Sequence, residues 1–201
     1  SATAPNASRT KCSDAASPPR PVPTEPMPDQ THIQTNFPGL TLRKARPEDG
    51  DTIRHLIARC YAEHGWTFRP SDWTEEHTRE PHRWFRERSG DFWTLWDTNT
   101  LAATAAIKLH QRTAELKSLY VHPAYRRRGI GAALTRLAID ESMNRGARRF
   151  ILWSDVALKD AHRLYLRFGM TPSGSRWVEA PEPYAEVGFH LELEEPDAAP
   201  T

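Results

Sequence analysis

The sequence predicts a single α/β (α+β) domain with a mixed, mostly antiparallel sheet of about seven strands and about four flanking helices. Two observations support this fold class. Three strand-like runs between residues 91 and 121 are separated by short turns, which predicts an antiparallel meander. Helical and strand-like segments then alternate after residue 121, so a crossover helix should bring two strands together in parallel.

The ends of the chain have a different composition from the middle. Residues 1–36 are rich in Pro, Ser, Thr and Ala, and such a segment buries too little apolar surface to offset the entropy of ordering. We therefore predict a disordered, Pro-rich tail over 1–36, a folded domain over 37–195 and a loose tail over 196–201. A partner-binding role for the Pro-rich tail is left open.

Composition excludes several classes of function. The net charge is +1, so no general attraction to nucleic acid is expected. No run of eighteen apolar residues and no secretory signal is visible, which predicts a cytoplasmic protein without a membrane partner. Cys12 and Cys60 are too few for a disulfide framework, and Cys60 lies on an apolar helical face as a buried free thiol.

The helices and strands can be placed by periodicity and by their terminating residues. A first helix contains Ile53, Ile57 and Cys60 on one face, Pro47 suits its beginning, and it ends before Gly65. Gly146 and Gly169 end the helices over 130–145 and 157–168. The predicted strands cover residues 40–45, 91–96, 101–109, 113–121, 149–153, about 176–178 and 187–193.

The secondary structure of segment 66–90 is the hardest to predict in the domain. It is aromatic and charged together, its helical signal is weak, and Pro81 would break or kink a single helix. His77 and His82 lie close in sequence, but their spacing suits a shared helical face poorly. We therefore predict no metal site.

The loop over residues 126–131, Arg-Arg-Arg-Gly-Ile-Gly, has the chemistry of an anion site. It joins a strand to a helix whose first N–H groups lack internal partners, and Gly129 and Gly131 carry no Cβ atoms to hold a ligand away. A phosphate or diphosphate is the expected ligand. Neither a P-loop nor a dinucleotide-binding fingerprint fits the spacing. The alternative is a solvated basic turn before an ordinary helix.

Two motifs resemble those of the GNAT superfamily of N-acyltransferases. Arg126, Gly129 and Gly131 fill the fixed places of its acyl-CoA signature, [Q/R]-x-x-G-x-[G/A]. Residues 161–170 resemble its A-x-x-L-Y-x-x-x-G-F element, with Met170 in place of the usual Phe. Leu158 stands where the family often has an Asn that contacts pantetheine. The resemblance covers residues 40–193 and extends to the acetyltransferase domains fused to winged-helix regulators.

The resemblance implies an N-acetyltransferase that moves an acetyl group from acetyl-CoA, its co-substrate, directly to a primary amine through a tetrahedral intermediate. It implies a sheet splayed between two parallel strands, where pantetheine lies beside Leu119, Tyr120 and Val121. It assigns the diphosphate of coenzyme A to Arg126, Arg127, Arg128, Gly129, Ile130, Gly131 and Ala132.

The resemblance also implies two catalytic residues. Tyr165 matches the family tyrosine that protonates the departing thiolate. Glu115 lies eleven residues before Arg126, where several GNAT enzymes place a catalytic glutamate, and is the predicted general base. The rival glutamates lie near the closing strands: Glu179, Glu182 and Glu186.

The acceptor is predicted only as a small-molecule or peptide amine. Its walls should lie in segments 62–90 and 174–186, where Trp66, Trp73 and Tyr184 indicate an apolar or aromatic component. These tryptophans equally suit plain packing. A catalytically silent acyl-CoA-binding domain is the alternative function, and a homodimer is left open.

Overall fold

The computed structural model describes residues 37–193, so the predictions for the tails over 1–36 and 196–201 fall outside the described residues. Seven strands form one sheet in the order β1-β2-β3-β4-β5-β7-β6 within that part of the chain. The strands are β1 (Leu40–Lys44), β2 (Asp91–Asp97), β3 (Thr100–His110), β4 (Thr113–Val121), β5 (Arg149–Asp155), β6 (Thr171–Val178) and β7 (Tyr184–Glu192). The α-helices are α1 (Gly50–Ala62), α2 (Pro81–Arg86), α3 (Ile130–Asn144) and α4 (Lys159–Arg167).

The predicted fold class is confirmed, and most element boundaries differ from prediction by only a few residues. The larger difference is β6, which extends over eight residues where the sequence indicated about three. Its side chains are almost all exposed, so it lacks the apolar alternation that marks a strand. Pairing with β7 is what makes this segment a strand.

The aromatic segment before β2 contains two short helical pieces. Residues Trp73–Thr78 form a 3₁₀ helix, and α2 begins at Pro81. Proline is tolerated at the first helical position because that position has no intrahelical partner for an N–H. Pro81 therefore starts a helix.

Helices cover both faces of the sheet. On one face α3 and α4 pack in the main core, where Ile130 and Leu134 contact buried strand residues such as Leu116 and Leu152. On the other face α1 and α2 build a second core. Its fully buried members are Ile53, Ile57, Phe85 and Ala106.

The parallel pair β4–β5 stays together over only four residues. Thr113–Leu116 pair with Arg149–Leu152, and the ladder then ends. Beyond that point β4 remains paired with β3, while β5 remains paired with β7. Ser118, with φ of 53°, accompanies an irregularity in the β3–β4 register. The two strands therefore diverge toward their carboxyl ends, which opens the predicted splay in the sheet.

Candidate active site

A cleft of about 1400 Å³ lies at this opening. Its walls are the second half of β4, the beginning of α3, the end of β5 and helix α4. The end of α1, the following segment to residue 75, and residues 180–186 complete it. The sequence elements with predicted chemistry therefore meet around one space.

The beginning of α3 presents unpaired backbone amides to the cleft. Gly129 precedes the helix with φ of 79°, a left-handed conformation that glycine adopts without steric cost. The first intrahelical hydrogen bond runs from the Ala133 N–H to the Gly129 carbonyl, at 3.0 Å. The N–H groups of Ile130, Gly131 and Ala132 therefore have no partner within the helix. These residues line the cleft and make an anion site geometrically possible.

Gly131 has a different structural role from Gly129. A Cβ atom at 131 would lie 3.6 Å from Leu164 Cδ2 and 3.8 Å from Val121 Cγ2, which are ordinary contact distances. A small side chain would fit there. A long one would extend into the opening between β4 and α4.

The three arginines of the loop point in different directions. Arg126 donates from Nε to the Val121 carbonyl at 3.0 Å, and its Nη2 lies 2.5 Å from Glu63 Oε2. Arg127 lines the cleft. The Arg128 guanidinium lies 5.2 Å from the centroid of the Tyr125 ring, and Arg128 is not among the residues that line the cleft. Arg126 and Arg127 therefore line the cleft, with the Arg126 guanidinium directed toward the end of α1, and Arg128 does not line it.

The second half of β4 forms the floor of the opening. Leu119, Tyr120 and Val121 all line the cleft. Leu119 and Val121 pack against the main core, whereas Tyr120 packs against the second core. Because one edge of β4 pairs with β3, its other edge faces the gap beyond Leu116.

Tyr165 brings a neutral phenol to the cleft. Its side chain is only 6% exposed, and its ring lies 5.5 Å from that of Phe189. Burial alone raises the pKa of the Tyr165 hydroxyl above its usual value. The hydroxyl therefore keeps its proton at neutral pH and can donate it.

Glu115 lies away from the cleft. Its carboxylate is 2.8 Å from Lys108 Nζ and 3.7 Å from Lys117 Nζ, and it is not among the residues that line the cleft. Its position on β4 turns the side chain away from the main core. The carboxylate of the predicted general base is therefore engaged in ion pairs with two lysines.

The rival glutamates near the closing strands divide into two groups. Glu182 and Glu186 line the cleft, and Glu179 is not among the lining residues. Glu182 pairs with Arg69 at 2.6 Å, and Glu186 pairs with Arg176 at 2.6 Å. Glu182 and Glu186 thus already have cationic partners.

Sequence reasoning missed a better placed carboxylate, that of Glu75. Glu75 is 7% exposed, lines the cleft, and accepts a 2.7 Å hydrogen bond at Oε1 from the Tyr61 hydroxyl. Its Oε2 atom is buried and has no hydrogen-bond partner among residues 37–193. Burial raises the pKa of Glu75, although Tyr61 and Lys117 act in the opposite direction. Nothing in the local pattern of segment 66–90 distinguishes this glutamate.

An aromatic cluster surrounds Tyr61 at this end of the cleft. Its ring lies 5.8 Å from Trp66, 5.6 Å from Phe68 and 6.2 Å from Tyr120. Trp66 lines the cleft together with Tyr184, whose pKa burial and nearby Glu186 raise to about 12. Of the aromatic residues predicted for this region, Trp66 and Tyr184 therefore reach the cleft.

Trp73 and the two neighbouring histidines do not contribute to the site. The Trp73 side chain is 66% exposed and outside the lining of the cleft. His77 is buried beside Phe85, and burial lowers its pKa to about 3. Within residues 37–193 no group of His, Cys, Asp or Glu side chains is arranged to hold a metal ion.

Comparisons with known proteins identify similar sequences and structures. A model of the Acetyltransferase (GNAT) family matches residues 52–170. Mycothiol acetyltransferase of Corynebacterium efficiens is 37% identical over 91 residues, which cover 44% of this chain and 29% of that protein. The chain therefore spans less than a third of that curated relative.

Solved structures share the fold. An acetyltransferase from Streptococcus agalactiae superposes with a TM-score of 0.68 at 17% identity, covering 78% of this chain and 100% of that one. The yncA protein of Salmonella typhimurium, solved with its cofactor acetyl-CoA, has a TM-score of 0.63 at 18% identity, covering 81% and 99%. Among the helices of residues 37–193, none combines the length and the hydrophobicity that a membrane span requires.

Proposed function

This chain belongs to the acetyltransferase (GNAT) family, and from that premise we propose that it transfers an acetyl group from acetyl-CoA to a primary amine by direct attack. The observation that carries the proposal is the gap between β4 and β5, which leads to the unpaired amides of α3. A thioester held in that gap would be anchored at one end by its diphosphate. Its reactive end would extend toward the aromatic end of the cleft.

The residues present fit coenzyme A. The amides of Ile130, Gly131 and Ala132 would bind the diphosphate, and Arg126 and Arg127 would add positive charge. Pantetheine would follow the free edge of β4 through backbone hydrogen bonds. Leu158 lines the cleft but offers no polar side chain, so these contacts depend on the backbone.

Acetyl-CoA supplies an activated acetyl group, and the chain's own residues would complete the reaction. A backbone N–H on the free edge of β4 would polarise the thioester carbonyl as the tetrahedral intermediate forms. Removing one such donor in other enzymes costs about 2.7–4 kcal/mol in barrier height. Tyr165 would donate its proton to the departing sulfur, because burial keeps the phenol neutral.

The amine must lose a proton before it attacks. An alkylammonium has a pKa near about 10.4, so nearly all of it is charged at neutral pH. A proton acceptor at the amine end of the cleft is therefore part of the proposed reaction. Glu115, the base predicted from the sequence, lies outside the cleft lining, and its catalytic role is not favoured by its position.

The alternative of a catalytically silent acyl-CoA-binding domain has less support. A silent domain needs only the anion site and the gap between the strands. The buried, neutral Tyr165 and the buried carboxylate of Glu75 both line the cleft as well, and neither is needed for binding alone.

The experiment is an assay of thiol release. The purified full chain is incubated with acetyl-CoA and a panel of alkylamines, amino acids and peptides with free N-termini, and free coenzyme A is measured. Amine-dependent thiol release with a matching acetylated product supports the proposal. Binding of acetyl-CoA without thiol release with any amine would favour the silent domain.

A further inference from the structure

We propose that the aromatic end of the cleft is an acceptor subsite for a primary ammonium with no neighbouring carboxylate, and that Glu75 takes its proton through the Tyr61 hydroxyl. This inference rests on the proposed function and specifies its amine side. Tyr61 would contact the amine, and Glu75 would lie behind it as the proton acceptor.

A chain of hydroxyl groups leads to the carboxylate. Tyr120 Oη donates to Tyr61 Oη at 3.5 Å, and Tyr61 Oη donates to Glu75 Oε1 at 2.7 Å. Both hydroxyl hydrogens therefore point toward Glu75. Tyr61 and Tyr120 line the cleft and are partly exposed, so the chain begins where a ligand can reach it.

Glu75 is the buried carboxylate at this end of the cleft, and one of its oxygens has no hydrogen-bond partner among the described residues. Its Oε2 atom is buried without a hydrogen-bond partner in the described part of the chain. Glu182 and Glu186 are held by arginines instead. A buried carboxylate oxygen without a partner is costly in a folded protein, which indicates a functional use for the Glu75 carboxylate.

Charge is distributed unevenly along the cleft. Around the α3 and α4 end the lining cations outnumber the carboxylates: Arg127, Lys159, Arg163 and Arg167 against Asp155 and Asp160. Around Tyr61 the lining carboxylates outnumber the cations: Asp72, Glu75, Glu182 and Glu186 against Arg69, Lys117 and Arg126, whose guanidinium lies beside Cys60 and Glu63. One end therefore suits a diphosphate and the other a cation, and a carboxylate beside the amine would be repelled.

The proton step balances without another reactant. The ammonium gives a proton to Tyr61 Oη as the Tyr61 hydroxyl proton passes to Glu75 Oε1. The products are a neutral amine with a free lone pair, an unchanged tyrosine and a neutral Glu75 carboxyl group. The positive and negative charges cancel, and the amine can then attack the thioester.

The groups around Glu75 act on its titration in both directions. Burial raises its pKa, the hydrogen bond from Tyr61 and the charge of Lys117 lower it, and Asp72 raises it. Tyr120 and Tyr184 also face it, and both have raised pKa values, so they are neutral at physiological pH. The net upward shift brings Glu75 closer to the pH range in which a base is most effective.

The test compares Glu75→Gln and Tyr61→Phe with wild type, using 2-phenylethylamine as acceptor. The matched control is Glu76→Gln, which changes the exposed neighbour on the same 3₁₀ helix. We expect kcat/KM at pH 7 to fall by about 10²–10⁴-fold in both test variants. The Glu76→Gln variant should match wild type, and acetyl-CoA affinity by calorimetry should be unchanged in all three.

The pH profile separates a proton acceptor from a structural role. Wild-type kcat/KM should be flat between the pKa of Glu75 and that of the amine. In Glu75→Gln it should rise about tenfold per pH unit, because only amine that is already neutral reacts, so the defect shrinks toward about pH 10. An equal loss at every pH, or no loss, overturns the role of Glu75. If Glu115→Gln, and not Glu75→Gln, shows this pH-dependent loss of kcat/KM, the proton acceptor is Glu115.

The acceptor class is tested with a matched pair, phenylalanine amide and phenylalanine. They share the ring and the primary amine, and a neutral amide replaces the carboxylate. This replacement also lowers the pKa of the amine, so kcat/KM is measured over a pH series and the maximum values are compared, and the amide should have the higher one. Equal or better use of phenylalanine overturns the proposed subsite, as does failure of both phenylalanine amide and 2-phenylethylamine while another amine is acetylated. Absence of thiol release with every amine would instead count against the proposed function.

Discussion

The Tyr61 hydroxyl and the Glu75 carboxylate are joined by a 2.7 Å hydrogen bond between the first helix and the 3₁₀ helix that follows it. The positive charge of Lys117 on β4 lowers the pKa of this carboxylate. The bond therefore connects the segment 66–90 to the cleft wall. Tyr61, Glu75 and Lys117 are far apart in the sequence, but they lie together at the amine end of the cleft.

Replacing Tyr165 by Phe should lower kcat by about 10²–10⁴-fold, because the departing sulfur loses its proton donor. The ring and its contact with Phe189 are kept, so acetyl-CoA affinity and folding should change little. Stopped-flow turnover together with calorimetry checks this. Equal turnover in the two proteins would remove Tyr165 from the mechanism.

Replacing Gly131 by Glu should abolish acetyl-CoA binding. The long anionic side chain would enter the gap beside Leu164 and Val121 and repel the diphosphate. Gly131→Ala is the control, since a Cβ atom there makes only ordinary contacts and alanine is favoured in a helix by about 1 kcal/mol. Unchanged affinity of Gly131→Glu by calorimetry would refute the diphosphate assignment.

Replacing Gly129 by Ala tests the backbone conformation at this position and not the space available for a side chain. The left-handed conformation at φ of 79° costs an alanine about 1–2 kcal/mol. Because nothing lies within 4 Å of the added Cβ atom, no steric clash contributes. Denaturant unfolding should therefore show a loss of this size for Gly129→Ala and none for Gly131→Ala. A stable Gly129→Ala variant would show that the loop can adopt another conformation.

Replacing Asp49 by Asn should destabilise the fold at neutral pH by about 1–3 kcal/mol. Asp49 is buried and accepts hydrogen bonds from the Arg43 guanidinium at 2.6 and 2.8 Å and from the Arg46 N–H at 2.7 Å. Burial raises its pKa, but these bonds and the two arginine charges outweigh burial and lower it overall.

The lowered pKa of Asp49 predicts the pH dependence of this loss. Its ionised form stabilises the fold above the unfolded-state pKa, and that contribution disappears as pH falls through the folded-state value. The free energies of unfolding of wild type and Asp49→Asn should therefore begin to converge as pH falls below about 4 and should meet only below the folded-state pKa of Asp49. A constant difference across this range would contradict the assignment.

Part of the site could be predicted from the sequence because its signals are local. Gly129, the start of α3 and Tyr165 each lie in a short stretch whose spacing determines its structure. The direction in which a side chain points is not determined by the local sequence. Arg128 packs on Tyr125 rather than facing the cleft, and no spacing rule distinguishes it from Arg127.

The sequence by itself determined the order of helices and strands and the position of the glycine loop, since periodicity, capping and turn residues act over a few positions. Only the tertiary structure decided which glutamates reach the cleft and which of them is buried without a cationic partner within residues 37–193. Glu115 was matched by its distance along the chain, but its carboxylate pairs with two lysines and it is not among the residues that line the cleft. Glu75 lies in a short 3₁₀ helix without apolar periodicity, and its burial and its contact with Tyr61 arise because packing on the sheet brings distant segments together.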